Sequence, residues 1–307
     1  MTLKIRDFHW DDDFDYVRTF LIETYDLTKT FQNWIPSMFE NTKFGPGGTE
    51  YLDEEDEYIK IWEDDSKVVA VTMVKPARIS EIFIHPDHRH LEKQIVLWIE
   101  EQKIQNESAT DDKVSIGFLV AESDNLRANM LKDMGYSNQG VEEHNRIRPV
   151  DLPVPEYQLP EGYKIRHADI LEDFLKYRAV QGAVFPHSKN MRKIQAKTYS
   201  EAQFYIAELD LIAVAPDGTF AGLVTVRIDN VSKLAEIEPL GIHPDHRRLG
   251  LANALMSEGL MRVQKYKPKC MVILGAASTE AATKFYDSLG FSKEDVFLWK
   301  KYLELEN

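Results

Sequence analysis

Residues 242–252 read IHPDHRRLGLA, and this stretch decides the fold. A strand ends at Ile242, Pro244 and Asp245 turn the chain, and Arg247, Arg248, Leu249, Gly250, Leu251 and Ala252 open a helix. At a helix start the first N–H groups have no intrahelical acceptor, and the dipole places about half a positive charge there. Gly250 and Ala252 keep side chains out of the way, so phosphate oxygens can approach the amides, while the two arginines supply flanking charge. A competing reading gives the two small residues only a packing role between helix and sheet.

Downstream, apolar residues recur at helical spacing over 249–263. CMVILGA (270–276) follows as a buried strand, and Glu280–Leu289 as a helix ending at Gly290. Upstream lie a short strand at Tyr163–Arg166 and an amphipathic segment over Ile170–Val180. Next come LIAVA and AGLVTVRI, joined as a hairpin across Pro216, Asp217 and Gly218, and the strand AEIEPLGI that enters the motif. The pattern is a mixed α/β module.

An altered copy of the motif, IFIHPDHRHLEKQ, occupies residues 82–94. Three landmarks recur in one order: KIR at Lys4 and Lys164, IHPDHR at Ile84 and Ile242, and MGY at Met134 against LGF at Leu289. Their separations of 160, 158 and 155 residues drift only by loop lengths, which marks an internal duplication. In the first copy the matching pieces are YIKIW, VVAVTMV, ISEIFI, a helix near Ile95–Ile104, VSIGFLVA and a helix before Gly135. Between the copies runs RIRPVDLPVPEYQLPEG, whose prolines predict an extended linker over about 146–160, dividing the chain into domains 1–150 and 151–307.

The chain of 307 residues is long enough for two cores. No apolar run reaches the roughly 18 residues of a membrane span, and the opening MTLKIRDFHWDDD is too acidic for a secretory signal, so the expected compartment is the cytoplasm. With 37 Lys and Arg against 51 Asp and Glu, the net charge of −14 argues against nucleic acid as a partner. Acid runs at Asp11–Asp13 and Asp53–Glu57 read as solvated faces, or as a rim that attracts cationic amines. Cys270 is the only cysteine, which excludes an intrachain disulfide, and its strand context suits core packing. His243 with His246, and His85 with His88, form HxxH pairs without a matching third ligand; they read as turn formers, and no metal is expected.

The order of strand, Arg-rich turn, helix, buried strand and closing AATKFYDSLGF resembles the Gcn5-related N-acetyltransferases, most closely in the second copy. The resemblance implies two such domains in tandem, each a mostly antiparallel sheet with splayed central strands flanked by helices. It implies acetyl-CoA as co-substrate, with pyrophosphate on the amides from Arg247 and Arg248 through Leu249, Gly250, Leu251 and Ala252 to Asn253. Pantetheine would lie between the strand ending at Ile242 and the strand over Met271–Leu274, held by the backbones of Leu240 and Ile242. The N–H of Leu240 matches the family's donor to the thioester carbonyl, Glu236 the carboxylate some members use as base, and Tyr286 the tyrosine that protonates the departing thiolate. Thr279 stands where the family often has Asn, which weakens that expected contact with the cofactor.

Glu236 and Glu238 lie two apart on one strand and so project from the same face, where either is able to take a proton from an incoming ammonium. Pro239 cannot donate to a ladder, which predicts a bulge there. Tyr177, Arg178, Phe185 and His187 are acceptor-site candidates because the corresponding segment borders the acceptor cleft in the family. Phe31–Tyr51, long for a loop, reads as a cap over a ligand or as a connector with one short helix.

In the first copy Glu92 stands at the position of Gly250, Gln94 at Ala252, His90 at Arg248, Arg78 at Glu236 and Leu131 at Tyr286. A carboxylate about 5 Å from a pyrophosphate costs on the order of 3 kcal/mol at an effective dielectric near 20. The first copy therefore reads as degenerate and non-catalytic. The tandem layout resembles that of the mycothiol synthases, in which one half is inactive, a likeness that leaves the acceptor open. The expected activity is acetyl transfer to a primary amine of a small molecule by direct attack in a ternary complex. The alternatives are an acyl-CoA sensor without turnover and an interaction module.

Overall fold

Both copies follow one element order. The first runs β1 (Lys4–Asp7), α1 (Trp10–Thr28), α2 (Pro36–Phe44), β2 (Ile59–Asp64), β3 (Lys67–Met73), β4 (Glu81–Ile84), α3 (Glu92–Asn106), β5 (Lys113–Ala121), α4 (Asn125–Asp133) and β6 (Ser137–Pro149). The second runs β7 (Lys164–His167), α5 (Phe174–Val184), α6 (Lys193–Ser200), β8 (Asp210–Val214), β9 (Phe220–Ile228), β10 (Leu234–Ile242), α7 (Leu251–Val263), β11 (Cys270–Ala277), α8 (Glu280–Ser288) and β12 (Ser292–Glu304). The computed structural model describes residues 3–45, 58–75, 79–106, 113–186 and 191–304.

One helix differs from its sequence reading. The segment expected to be helical from Ile170 becomes helix only at Phe174. Asp169 accepts from the N–H groups of Leu171 and Glu172, and Arg166 grips Asp173 with two nitrogens at 2.7 and 2.8 Å. These side chains hold residues 170–173 in turns, while Ile170 still buries its side chain in the core.

Strands β1–β2–β3–β4 form one sheet, and the other eight form a second in the order β5–β12–β6–β11–β10–β9–β8–β7. Each copy gives its last strand to the other. β6 pairs with β11 from Cys270↔Pro149 to Ala277↔Glu143, and β12 pairs with β5 from Val296↔Ala121 to Glu304↔Lys113. Residues 146–149, expected at the start of the linker, are thus strand, and Pro149 sits at the strand's end, where a missing donor costs little.

The parallel pair β10–β11 holds only from Leu234↔Cys270 to Glu236↔Val272, after which the two strands part. Two irregularities drive them apart. β10 slips register against β9 between Ile237 and Leu240, around Pro239 as expected, and β11 slips against β6 between Ile273 and Ala276, where Gly275 has φ +70°. The edge of β10 that faces β11 has no strand partner from Ile237 onward among the described residues.

Apolar packing joins the halves. Ile35, Leu234 and Val272 are buried together with Tyr25, Phe31, Met38, Cys270 and Leu274 around them. Arg18 binds both Glu40, at 2.7 Å, and Asp229, while Glu40 also accepts from the N–H of Phe204. The Phe31–Tyr51 stretch therefore contributes α2 to this interface; its residues 46–51 lie outside the described residues.

Candidate active site

The helix start after β10 has the form an anion site requires. Gly250 at the N-cap of α7 has φ +77°, Arg248 has φ +63°, and no side chain caps the helix. Left-handed residues in such a turn bend N–H groups into a concavity that suits phosphate. A Cβ built on Gly250 meets no atom within 4 Å, so the glycine is not there for packing. It serves the backbone conformation and leaves the space in front of the amides open.

That turn opens into a groove of about 560 Å³ lined by Leu240, Ile242, His246, Arg247, Arg248, Gly250, Leu251, Ala252, Asn253, Val184, Gly241, Ala282 and Phe285. Eight of the ten residues expected at the cofactor line it. Leu249 is not among the lining residues and is 42% exposed. Thr279 caps α8, its hydroxyl accepting from the N–H of Ala282 at 3.3 Å, and so is committed to the helix start. Ala282 and Phe285 escaped the sequence reading, although their three-residue spacing on α8 puts them on one face.

The two glutamates divide. Glu236 is buried and held by Arg227 at 3.4 Å, whose other nitrogen donates to Asn41 of the first half at 3.0 Å. Glu238, next to the bulge, reaches solvent, yet enough protein surrounds it that loss of hydration pushes its carboxyl above the ordinary value. Arg227 opposes this rise, and Glu236 adds to it. Tyr286 is raised as well, first by burial and then by the charge of Glu238, while Arg146 pulls it down. Glu238 and Tyr286 thus sense each other across the gap between β10 and α8.

Several residues placed near the acceptor by sequence do other work. Tyr177 is a core residue, 3% exposed, and donates its hydroxyl to buried Asp210 at 3.1 Å. Arg178 is exposed, Phe185 is half-buried, and His187 lies outside the described residues. His243 accepts from the N–H of Asp245 within the turn, and His246 lies 2.8 Å from the Tyr163 hydroxyl, 83 positions away.

The first half is built differently at the same place. Glu92 does not aim at the space where a pyrophosphate would lie, as the sequence comparison anticipated. It is buried, and it binds Arg89 at 2.6 Å and Arg127 more closely still. Arg127, at the position of Ala282, fills the volume that is open in the second half and donates to the carbonyl of Ile82, the counterpart of Leu240. Asn33 completes the closure with a pair of 3.0 Å bonds to the C=O and N–H of Ile84, the counterpart of Ile242. Around Arg127 a cavity of only about 60 Å³ remains. Arg78 lies outside the described residues, and Leu131 is core.

A profile of the acetyltransferase (GNAT) family matches residues 170–291. Among curated relatives, the mycothiol acetyltransferase of Streptomyces coelicolor is 28% identical over 149 residues, 46% of each chain. The match spans about half the length of such relatives. Among solved structures, a GCN5-related N-acetyltransferase from Sphaerobacter thermophilus superposes with TM-score 0.67 at 17% identity, over 98% of this chain and 96% of that one. A tandem GNAT protein from the clavulanic acid biosynthesis pathway gives 0.64 at 15%, over 100% and 99%. Residues 170–291 thus match the GNAT acetyltransferase family in sequence, and the whole chain shares the fold of GNAT proteins, a tandem one among them.

Proposed function

We propose that the second half transfers an acetyl group from acetyl-CoA to a primary amine of a small molecule, by direct attack in a ternary complex. The observation that carries this reading is that an uncapped helix start and the unpaired strand edge at Leu240 and Ile242 line one groove, with Glu238 two residues before Leu240 on that strand and Tyr286 next to Phe285 of the lining. Acetyl-CoA supplies an acetyl group activated as a thioester.

Main-chain amides from Arg247 to Asn253 bind the pyrophosphate, and the β10 edge takes an extended ligand as it would take a strand. Glu238 accepts the ammonium proton; Glu236, locked to Arg227, holds the electrostatic frame behind it. Leu240 N–H donates to the carbonyl oxygen as charge gathers there. Tyr286 gives its proton to the departing sulfur. The names of the relatives, which denote acetyl transfer and the small molecule mycothiol, support both the donor and a small acceptor.

The first half, on this reading, binds no cofactor and works as a structural partner, since Arg127, Glu92 and Asn33 occupy its cleft. The test is release of free thiol from acetyl-CoA with a panel of primary amines, alongside calorimetric titration of acetyl-CoA. Turnover with some amine and one binding site per chain are expected; binding without thiol release on any amine would make the protein a sensor. Tyr286→Phe should lower kcat about a hundredfold and leave acetyl-CoA affinity unchanged, and equal losses in both would contradict the acid role.

A further inference from the structure

We infer that Arg146, carried into the second half's sheet by the first half's β6, is a positioning residue for the acid, fixing the Tyr286 ring and stabilising charge on its oxygen. The inference rests on the acetyl-transfer reading and adds a residue that the first half contributes to the second half's chemistry. The guanidinium carbon lies 5.8 Å from the Tyr286 ring centroid, within cation–π range. Arg146 is fully buried, pairs with Asp287 through one nitrogen at 2.5 Å, and leaves Nε and Nη2 without a protein acceptor among the described residues.

Two residues along the same strand, Arg148 gives the contrast. It is equally buried, yet it donates to the carbonyls of Leu289, Pro149, Leu152 and Pro153, which explains it as a clamp on the connector. No such accounting explains Arg146. A buried cation with two idle donors is expensive to keep, and each such group in a native fold calls for a reason. Among the described residues, its one aromatic neighbour in cation–π range is Tyr286, adjacent in sequence to Phe285 of the groove lining.

Among the described residues, Glu238 and Arg146 are the charges that shift Tyr286. Glu238 on β10 opposes a phenolate, and Arg146 on β6 favours one. Asp287, next to Tyr286 on α8, compensates the outer side of Arg146, and Phe285 and Phe291 add only apolar ring contacts. As the carbon–sulfur bond breaks, Tyr286 gives its proton to sulfur, keeps the electron pair as a phenolate, and regains a proton from water. Arg146 lowers the energy of that phenolate. The first half has Leu131 at the position of Tyr286 and so has no use for such a cation there.

The experiment places a fluorinated tyrosine, whose phenol ionises near neutral pH, at position 286 of the full chain and follows its titration by fluorine NMR. Arg146→Met should raise the midpoint by about one pH unit, a tenfold change, and Arg146→Lys by less than half of that. An unmoved midpoint in folded Arg146→Met, or a lysine variant shifted as far as the methionine one, overturns the inference. Should Arg146→Met not fold, Asp287→Asn, a surface change, should lower the midpoint by freeing the guanidinium of its counter-ion, and no change there overturns the inference equally. Calorimetric binding of acetyl-CoA to the same proteins separates the two ideas. Binding with an unmoved midpoint defeats the Arg146 role alone, whereas a moved midpoint with no binding defeats the acetyl-transfer reading beneath it.

Discussion

Arg127 donates from Nε to the carboxylate of Glu92 inside the first half, at the two positions where the second half has Ala282 and Gly250. One ion pair therefore stands where the other half leaves an open groove. Both partners are almost fully buried, and Arg89 and Asp124 extend the network. Removing one member leaves charge uncompensated in a poorly solvated place. Arg127→Ala should cost about 3 kcal/mol in urea denaturation, while the number of acetyl-CoA sites per chain stays at one. A neutral effect on stability would mean that the pair is not what closes this cleft.

Gly250 answers to conformation and to access together. Gly250→Ala places a Cβ on a left-handed residue, at a cost of about 1 kcal/mol, and points it into the open face of the helix start. Acetyl-CoA affinity should fall about tenfold by calorimetry, with only a small loss of thermal stability. Unchanged affinity would take the pyrophosphate away from this turn.

Glu238 fixes the sign of the pH dependence. Its carboxyl lies above the usual carboxylate value in the folded protein, and a base works only when deprotonated. Acetyl transfer should therefore rise with pH through a midpoint above the ordinary value of about 4.3, and activity should be lost as pH falls through it. Glu238→Gln should lower kcat about a hundredfold and flatten this acidic limb. A limb that survives in Glu238→Gln and vanishes in Glu236→Gln would move the base to Glu236.

Asp210 makes stability depend on pH in the opposite sense to a salt-bridged acid. It is fully buried and accepts from Tyr177, Tyr205 and Thr225, and burial pushes its carboxyl up to about 6. A folded value above the unfolded one near 3.9 means that the native state binds the extra proton, so this contribution grows as pH falls from 7 towards 4 and is lost as pH rises through 6. Between pH 7 and 5 the chain should gain roughly 1 kcal/mol relative to Asp210→Asn, measured as the difference between two urea midpoint series. Parallel series would remove Asp210 as the source.

Much of the second half was legible because its signals are local. The hairpin at Pro216–Gly218, the strand into Ile242 and the glycine at the helix start each act through neighbours in sequence. Helix α5 starts four residues into the amphipathic segment, since apolar spacing reports burial, which Ile170 has, but not the turns that Asp169 and Asp173 impose on the backbone. Glu92 was recognised as an obstacle, yet its partner is Arg127, 35 positions away, and that distance hides the pairing. The same holds for Asn33, whose amide satisfies the backbone of Ile84 across 51 positions.

By itself the sequence determined the duplication, the order of elements in both copies and the one helix start suited to an anion, because hydrophobic period, turn chemistry and the absence of a side chain at Gly250 are properties of consecutive residues. It took the tertiary structure to set each copy's final strand in the other, to bind Glu236 to Arg227 while Glu238 reaches solvent, and to lay Arg146 against Tyr286. Strand exchange conserves every local preference of β6 and β12, since a ladder satisfies the same backbone groups whichever neighbour supplies the partner. No pattern in either strand therefore distinguishes its own half from the other, and the choice is made by the packing of the two halves as a whole.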